Sequence, residues 1–211
     1  MAGSTPLILF APGAGASSAS RWMTAWAERL RAFGTVVPLD YPYMKAGKKV
    51  PDRLPVLIEA HRAALVEAQR VHGDHHPVVL AGKSMGSRVG LHLANALSEE
   101  DHPPAAAICF GYPLRPIGGG ALRTEVLLAL TTPTLFLQGQ SDPLCPLDEL
   151  ASVRAQMKAP TELLVVPGGN HSLEVKKRAA ASAGRSQADE DQSIATAIAA
   201  FLRAHGVAFG S

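Results

Sequence analysis

Six short apolar runs punctuate the chain: Leu7 to Phe10, Val36 to Leu39, Val78 to Ala81, Ala106 to Phe110, Thr134 to Leu137 and Leu163 to Val166. They do not alternate between apolar and polar, as half-exposed strands would, so they predict strands buried on both faces. Between them lie longer stretches whose apolar positions recur three and four apart. Trp22, Trp26, Leu30 and Phe33 predict a helix capped by Ser20 and ended by Gly34. Asp52 is expected to open a second helix along Leu57, Ala60, Ala64, Ala68 and Val71, closed by Gly73. Met85, Val89, Leu93 and Leu97 form a third face. Leu150 and Val153 belong to a short helix with Asp148 as its cap, and Ile194, Ile198, Phe201 and Leu202 form the last face. Strand and helix alternate throughout, which predicts an α/β fold with one mostly parallel sheet of about six strands and helices on both faces.

Two stretches break the pattern. "PIGGG", residues 116–120, reads as a loop from its glycines, and the polar, alternately charged residues 176–191 read as a mobile segment flanking a site entrance. The stretch 111–133 is too short for a large lid, which predicts an open site suited to a small or extended substrate.

Composition narrows the choice of partner. At 211 residues and 47% hydrophobic content, one domain spanning 1–211 is expected. A formal charge of +2 with 18% charged residues offers no basic face for nucleic acid. No apolar run approaches the roughly 20 residues that cross a bilayer, so no membrane partner is expected. The opening "MAGSTPLILF" lacks the features of a secretory signal. With Cys109 and Cys145 the only cysteines, two reduced thiols and a cytoplasmic location are expected. A small molecule is left as the partner; oligomeric state has no signature in the pattern.

The run at 78–81 continues into "GKSMG", a Gly-x-Ser-x-Gly pentad centred on Ser84. Such a pentad arises by chance in roughly one chain in ten of this composition, so it needs structural context. That context is a strand before it and a helix after it. There a sharp turn exposes the hydroxyl, and small residues two before and two after let the backbone bend. Serine also needs an imidazole to take its proton and a carboxylate to orient the imidazole. "TLFLQGQSDPLCP" places Asp142 after the fifth run, and "LLVVPGGNHSLE" places His171 after the sixth. Serine, acid and histidine in that order, each after a strand, is the order of an α/β-hydrolase triad. The oxyanion needs two N–H donors; Met85 follows the nucleophile, and "FAPGAGASS" offers Ala14, with Gly13 as its competitor.

The combination of "PGAGA", "YPYM", "KKVPDR", "GKSMGSR", "GQSDPLCP" and "GGNHS" resembles the dienelactone-hydrolase-like branch of the α/β-hydrolase superfamily. It is most similar to the testis-expressed and NSL-complex-subunit hydrolase-like domains and their small bacterial relatives. The resemblance implies the strand order 2-1-3-4-5-6 and a serine hydrolase acting on an ester or thioester, with no metal or organic cofactor. Serine stands at the elbow where true dienelactone hydrolases use cysteine, which points away from that substrate. A catalytically retired interaction module is the alternative that the family also implies.

Several residues carry two readings. Asp142 is the orienting acid, a cap of the short helix through Asp148, Leu150 and Val153, or an Asp-Pro turn former. Lys83 either faces the substrate pocket or packs its stem with its head in solvent or on an acid. Arg88, one turn past Ser84, forms either a buried ion pair or a substrate contact. Tyr41 and Tyr43 are pocket wall or loop packing, and Cys145 lies near the site without a base to activate it. "HGDHH", residues 72–76, lacks ligand spacing and reads as a solvated loop rather than a metal site.

Overall fold

In the computed structural model, described over residues 5–176 and 184–210, the apolar runs become β1 (Leu7–Ala11), β2 (Thr35–Pro38), β3 (Val78–Lys83), β4 (Ala106–Phe110), β5 (Thr134–Gly139) and β6 (Thr161–Val166). All pairings are parallel, in the order β2-β1-β3-β4-β5-β6. Every residue of β1, β4 and β5 is buried, whereas the edge strands β2 and β6 are partly exposed. This explains the unbroken apolar runs: a central strand must be apolar on both sides.

Seven helices occupy the described residues: α1 (Arg21–Leu30), α2 (Pro42–Lys45), α3 (Leu54–His72), α4 (Met85–Glu99), α5 (Glu125–Leu128), α6 (Leu147–Arg154) and α7 (Gln187–Ala204). Side chains alternate along each strand, so the sheet divides the core in two. Leu7, Leu9 and Ala11 of β1 join Leu57 and Leu65 of α3 and Val89 and Leu93 of α4 on one face. Ile8 and Phe10 join Trp26 of α1 and Ile194, Ile198 and Phe201 of α7 on the other. Each of these leucines, isoleucines and phenylalanines contributes about 1.5–3 kcal/mol through burial.

One helix start stands where expected but without its side-chain bond, and three boundary expectations change. Ser20 occupies the N-cap of α1, but its side chain makes no capping bond. Asp52 does not cap α3; Arg53 is the N-cap, and the Asp52 carboxylate accepts the Tyr43 N–H at 3.0 Å. Pro146, not Asp148, precedes α6, and Asp148 lies in its first turn, where a negative charge suits the helix dipole. Residues 187–191, expected to be mobile, form the start of α7. There Ser186 and Asp189 build a reciprocal capping box, a local signal that the charged composition masked. Of the rest of that expectation, residues 177–183 lie outside the described residues. Residues 116–120 carry no helix or strand, and the stretch 111–133 holds only the four-residue α5. No helix among the described residues is long and apolar enough to cross a membrane. In the 72–76 segment, His76 bonds the carbonyls of Thr5 and His72.

One core group couples the fold to pH. His61 of α3 is fully buried; its Nδ1 lies 3.3 Å from the Tyr41 hydroxyl, and its Nε2 has no hydrogen-bond partner among the described residues. Burial disfavours the imidazolium and pushes its pKa from 6.5 down to about 3. The unfolded chain binds this proton below about pH 6.5 and the folded chain does not. His61 therefore contributes stability above pH 6.5 that is lost as pH falls towards 3, by up to about 1.4 kcal/mol per unit. Urea melts between pH 6.5 and 4 should show a steeper loss for the natural protein than for His61→Gln; equal slopes would refute this account.

Candidate active site

Strand order reverses at β1, which has β2 on one side and β3 on the other, and in such sheets the crevice opens at the carboxyl ends of the strands. Ser84 sits there, between β3 and α4, with φ 50° and ψ −115°. A side chain at positive φ is strained and persists only when its surroundings impose it. Here the Ser84 N–H donates to Phe110 O at 2.9 Å, and the Ser87 hydroxyl donates to Ser84 O at 2.6 Å. The pentad glycines are required for space. A Cβ on Gly86 would fall 2.4 Å from Ala11 O, and one on Gly82 would fall 2.4 Å from Ser87 N.

His171 Nε2 lies 2.7 Å from Ser84 Oγ, and its Nδ1 lies 2.7 Å from Asp142 Oδ2. A buried carboxylate can only accept, so Nδ1 carries the proton and Nε2 is left to accept from the serine hydroxyl. Asp142 is 4% exposed, and the desolvation that this burial costs is offset by other donors. Gln138 Nε2 donates to Oδ2 at 2.5 Å and Leu144 N–H to Oδ1 at 2.9 Å. Asp142 thus makes both contacts: its Oδ1 builds the Asp-Pro turn while its Oδ2 meets the imidazole.

The loop carrying His171 is pinned from several sides. Asn170 Oδ1 accepts the N–H groups of Ser172 and Glu174. Trp22 Nε1–H of α1 donates to Ser172 O at 2.9 Å, and Lys83 Nζ donates to Ser172 Oγ at 2.8 Å. Only glycine fits at 139, where a Cβ would lie 2.2 Å from Asn170 O. The Lys83 ammonium also sits 5.0 Å from the Trp22 ring centroid. Burial lowers its pKa, with Glu174 and Asp142 opposing the shift. Lys83 thus ties the turn at Ser84 to the turn at His171.

Met85 opens α4, so its N–H has no intrahelical acceptor. A Cβ on Gly13 would stand 3.5 Å from Ser84 Cβ, and the Tyr43 hydroxyl donates to Ala14 O at 2.9 Å, holding the β1 loop beside the serine. Tyr41, Tyr43 and Cys145 are at most 2% exposed, so they pack the interior instead of presenting a wall to solvent. The Cys145 thiol is pushed up to about 12 by burial and then by Asp142, which keeps it protonated. Arg88 enters no ion pair among the described residues.

Residues 4–203 match the family described as alpha/beta hydrolase domain. The chain belongs to this family. Solved structures repeat the hydrolase fold at low sequence identity. A dienelactone hydrolase from Anabaena variabilis is 20% identical with a TM-score of 0.69, covering 95% of this chain and 87% of its own. An alpha-beta serine hydrolase homologue from Coxiella burnetii is 20% identical with a TM-score of 0.66, over 82% of this chain and 79% of that one. A thioesterase of the prodiginine biosynthetic pathway in Streptomyces coelicolor is 19% identical with a TM-score of 0.56, over 80% and 79%.

Within this hydrolase domain, sequence reasoning missed the supports: Trp22, Gln138 and Ser172. Gln138 had a signal, being the polar residue that ends the apolar "TLFLQG", four before Asp142. Trp22 sat on an apolar helical face indistinguishable from core, and Ser172 had no signal at all.

Proposed function

We propose that this hydrolase domain is a serine hydrolase that cleaves an ester or thioester of a small or extended acyl substrate. The observation that carries the reading is the continuous relay from Ser84 Oγ through His171 to Asp142, with 2.7 Å at each link. His171 takes the Ser84 proton as Oγ attacks the acyl carbonyl, and Asp142 stabilises the imidazolium that forms. The N–H groups of Met85 and Ala14, or of Gly13 in place of Ala14, hold the oxyanion. His171 then protonates the leaving group, and water repeats the attack on the acyl-enzyme with His171 as base. Every step uses groups of this chain and water. The finer kinship to the testis-expressed and NSL-complex domains, a cytoplasmic location and one domain over 1–211 belong to the same proposal.

A fluorophosphonate probe should label the purified protein, with no labelling of Ser84→Ala, and the labelled protein should lose activity on para-nitrophenyl esters. An intact protein that neither reacts with the probe nor turns over any ester from short to long acyl chains would instead be an interaction module.

A further inference from the structure

His171 is held by its ring and by its turn, and the proposed reaction removes one of the ring contacts. While Ser84 is free, its hydroxyl donates to His171 Nε2, and Asp142 Oδ2 accepts from Nδ1. Once the acyl group is on Oγ, that oxygen has no proton, so Oγ and the bare Nε2 become two acceptors facing each other. The ring then keeps Asp142 alone, and its aim at the acyl carbonyl depends on the turn that carries it.

That turn is strained. Leu173, two residues after His171, has φ 62°, a left-handed conformation that such a side chain adopts only when its surroundings impose it. Gln187 Nε2 of α7 donates to Leu173 O at 3.2 Å, and a Cβ on Gly111 at the end of β4 would fall 2.4 Å from His171 O. On the β3 side the turn is held by Lys83 and Trp22. Lys83 directly precedes Ser84 and Ser172 directly follows His171, so the 2.8 Å bond from Lys83 Nζ to Ser172 Oγ joins the chain neighbours of nucleophile and base. Trp22 Nε1–H donates to the Ser172 carbonyl, and its ring centroid lies 5.0 Å from the same ammonium. Lys83 enters no ion pair among the described residues, so its charge is directed at Ser172 and the indole rather than at a contacting acid.

Resting on the serine-hydrolase reading, we propose that Lys83 is a positioning residue for the second half of the reaction: its bond to Ser172 keeps His171 aimed at the acyl-enzyme while Ser84 no longer holds the ring. In that step a water oxygen attacks the acyl carbonyl as His171 Nε2 takes the water proton. The carbonyl carbon then releases Ser84 Oγ, and His171 returns the proton to it, leaving a carboxylic acid and the free serine. During acylation the hydroxyl of Ser84 itself holds the ring, so the loss of Lys83 matters less there.

The test separates the two halves of turnover with para-nitrophenyl acetate. Release of nitrophenol gives kcat and kcat/KM, and intact-protein mass spectrometry gives the fraction held as acyl-enzyme and its rate of decay. The ratio kcat/KM reports the steps up to acylation, whereas the decay reports only the attack by water. Lys83→Met should slow the decay about tenfold, the scale of one charge-assisted hydrogen bond, with kcat/KM and the rate of fluorophosphonate labelling changed by less than about threefold. Lys83→Arg should recover part of the loss, Ser172→Ala should reproduce it, and the double variant Lys83→Met/Ser172→Ala should be no slower than either alone. Thermal melts verify folding; if Lys83→Met does not fold, Ser172→Ala decides, since it removes the same bond. Equal losses in kcat/KM and in decay would mean a general disturbance of the site, and unchanged decay in folded variants would mean that the bond is idle; either result overturns the role of Lys83. A natural protein that takes no probe label and forms no acyl-enzyme would overturn the serine-hydrolase reading, and the role of Lys83 with it.

Discussion

Ser84→Ala should lower kcat on an activated ester by on the order of 10⁵-fold or more, and adding His171→Ala should cost almost nothing further. In the proposed mechanism the two side chains share one task, since His171 Nε2 faces Ser84 Oγ at 2.7 Å and activates nothing once that oxygen is gone. What remains comes from substrate binding and the N–H donors. The alanine fits without cavity or clash, and the strain at φ 50° belongs to the backbone, so the fold should persist. Single-turnover kinetics of both single variants and the double variant provide the check. Additive losses would mean that the pair does not act as a unit.

Asp142→Asn should lower kcat by about 10⁴-fold with the protein still folded. Asparagine keeps the shape but replaces one acceptor with an NH₂ group. Three donors converge on this carboxylate: Gln138 Nε2, Leu144 N–H and His171 Nδ1. One carbonyl oxygen cannot satisfy them all. If the amide nitrogen faces His171, the imidazole must accept at Nδ1 and carry its proton on Nε2, where it can no longer receive the serine proton. Steady-state kinetics, with circular dichroism to verify folding, measure this. A loss below about tenfold would remove Asp142 from the orienting role.

The site was legible to different depths. Ser84, Asp142 and His171 could be read because each follows an apolar run, and a parallel sheet brings the ends of its strands to one edge. Lys83 could not be read, because its partner Ser172 is 89 residues away and nothing local marks that pairing. Arg88 had two readings, and the choice between them depends on whether an acid faces it after folding. Tyr41 and Tyr43 read as either wall or packing until their burial was known. Helix starts failed for a different reason. Asp52 and Asp148 are good caps in isolation, but Asp52 is taken by the Tyr43 N–H and α6 begins one residue before Asp148.

By itself, the sequence determined the alternation of strand and helix, the parallel sheet and the chain order of Ser84, Asp142 and His171. These follow from apolar period and local turn chemistry, which act over a few residues. Only the tertiary structure decided the left-handed backbone at Ser84, the approach of Asn170 O to Gly139 and the pinning of the His171 turn by Trp22 and Lys83. Each depends on groups far apart in sequence meeting within a few ångströms, and close packing settles that only when the whole core forms.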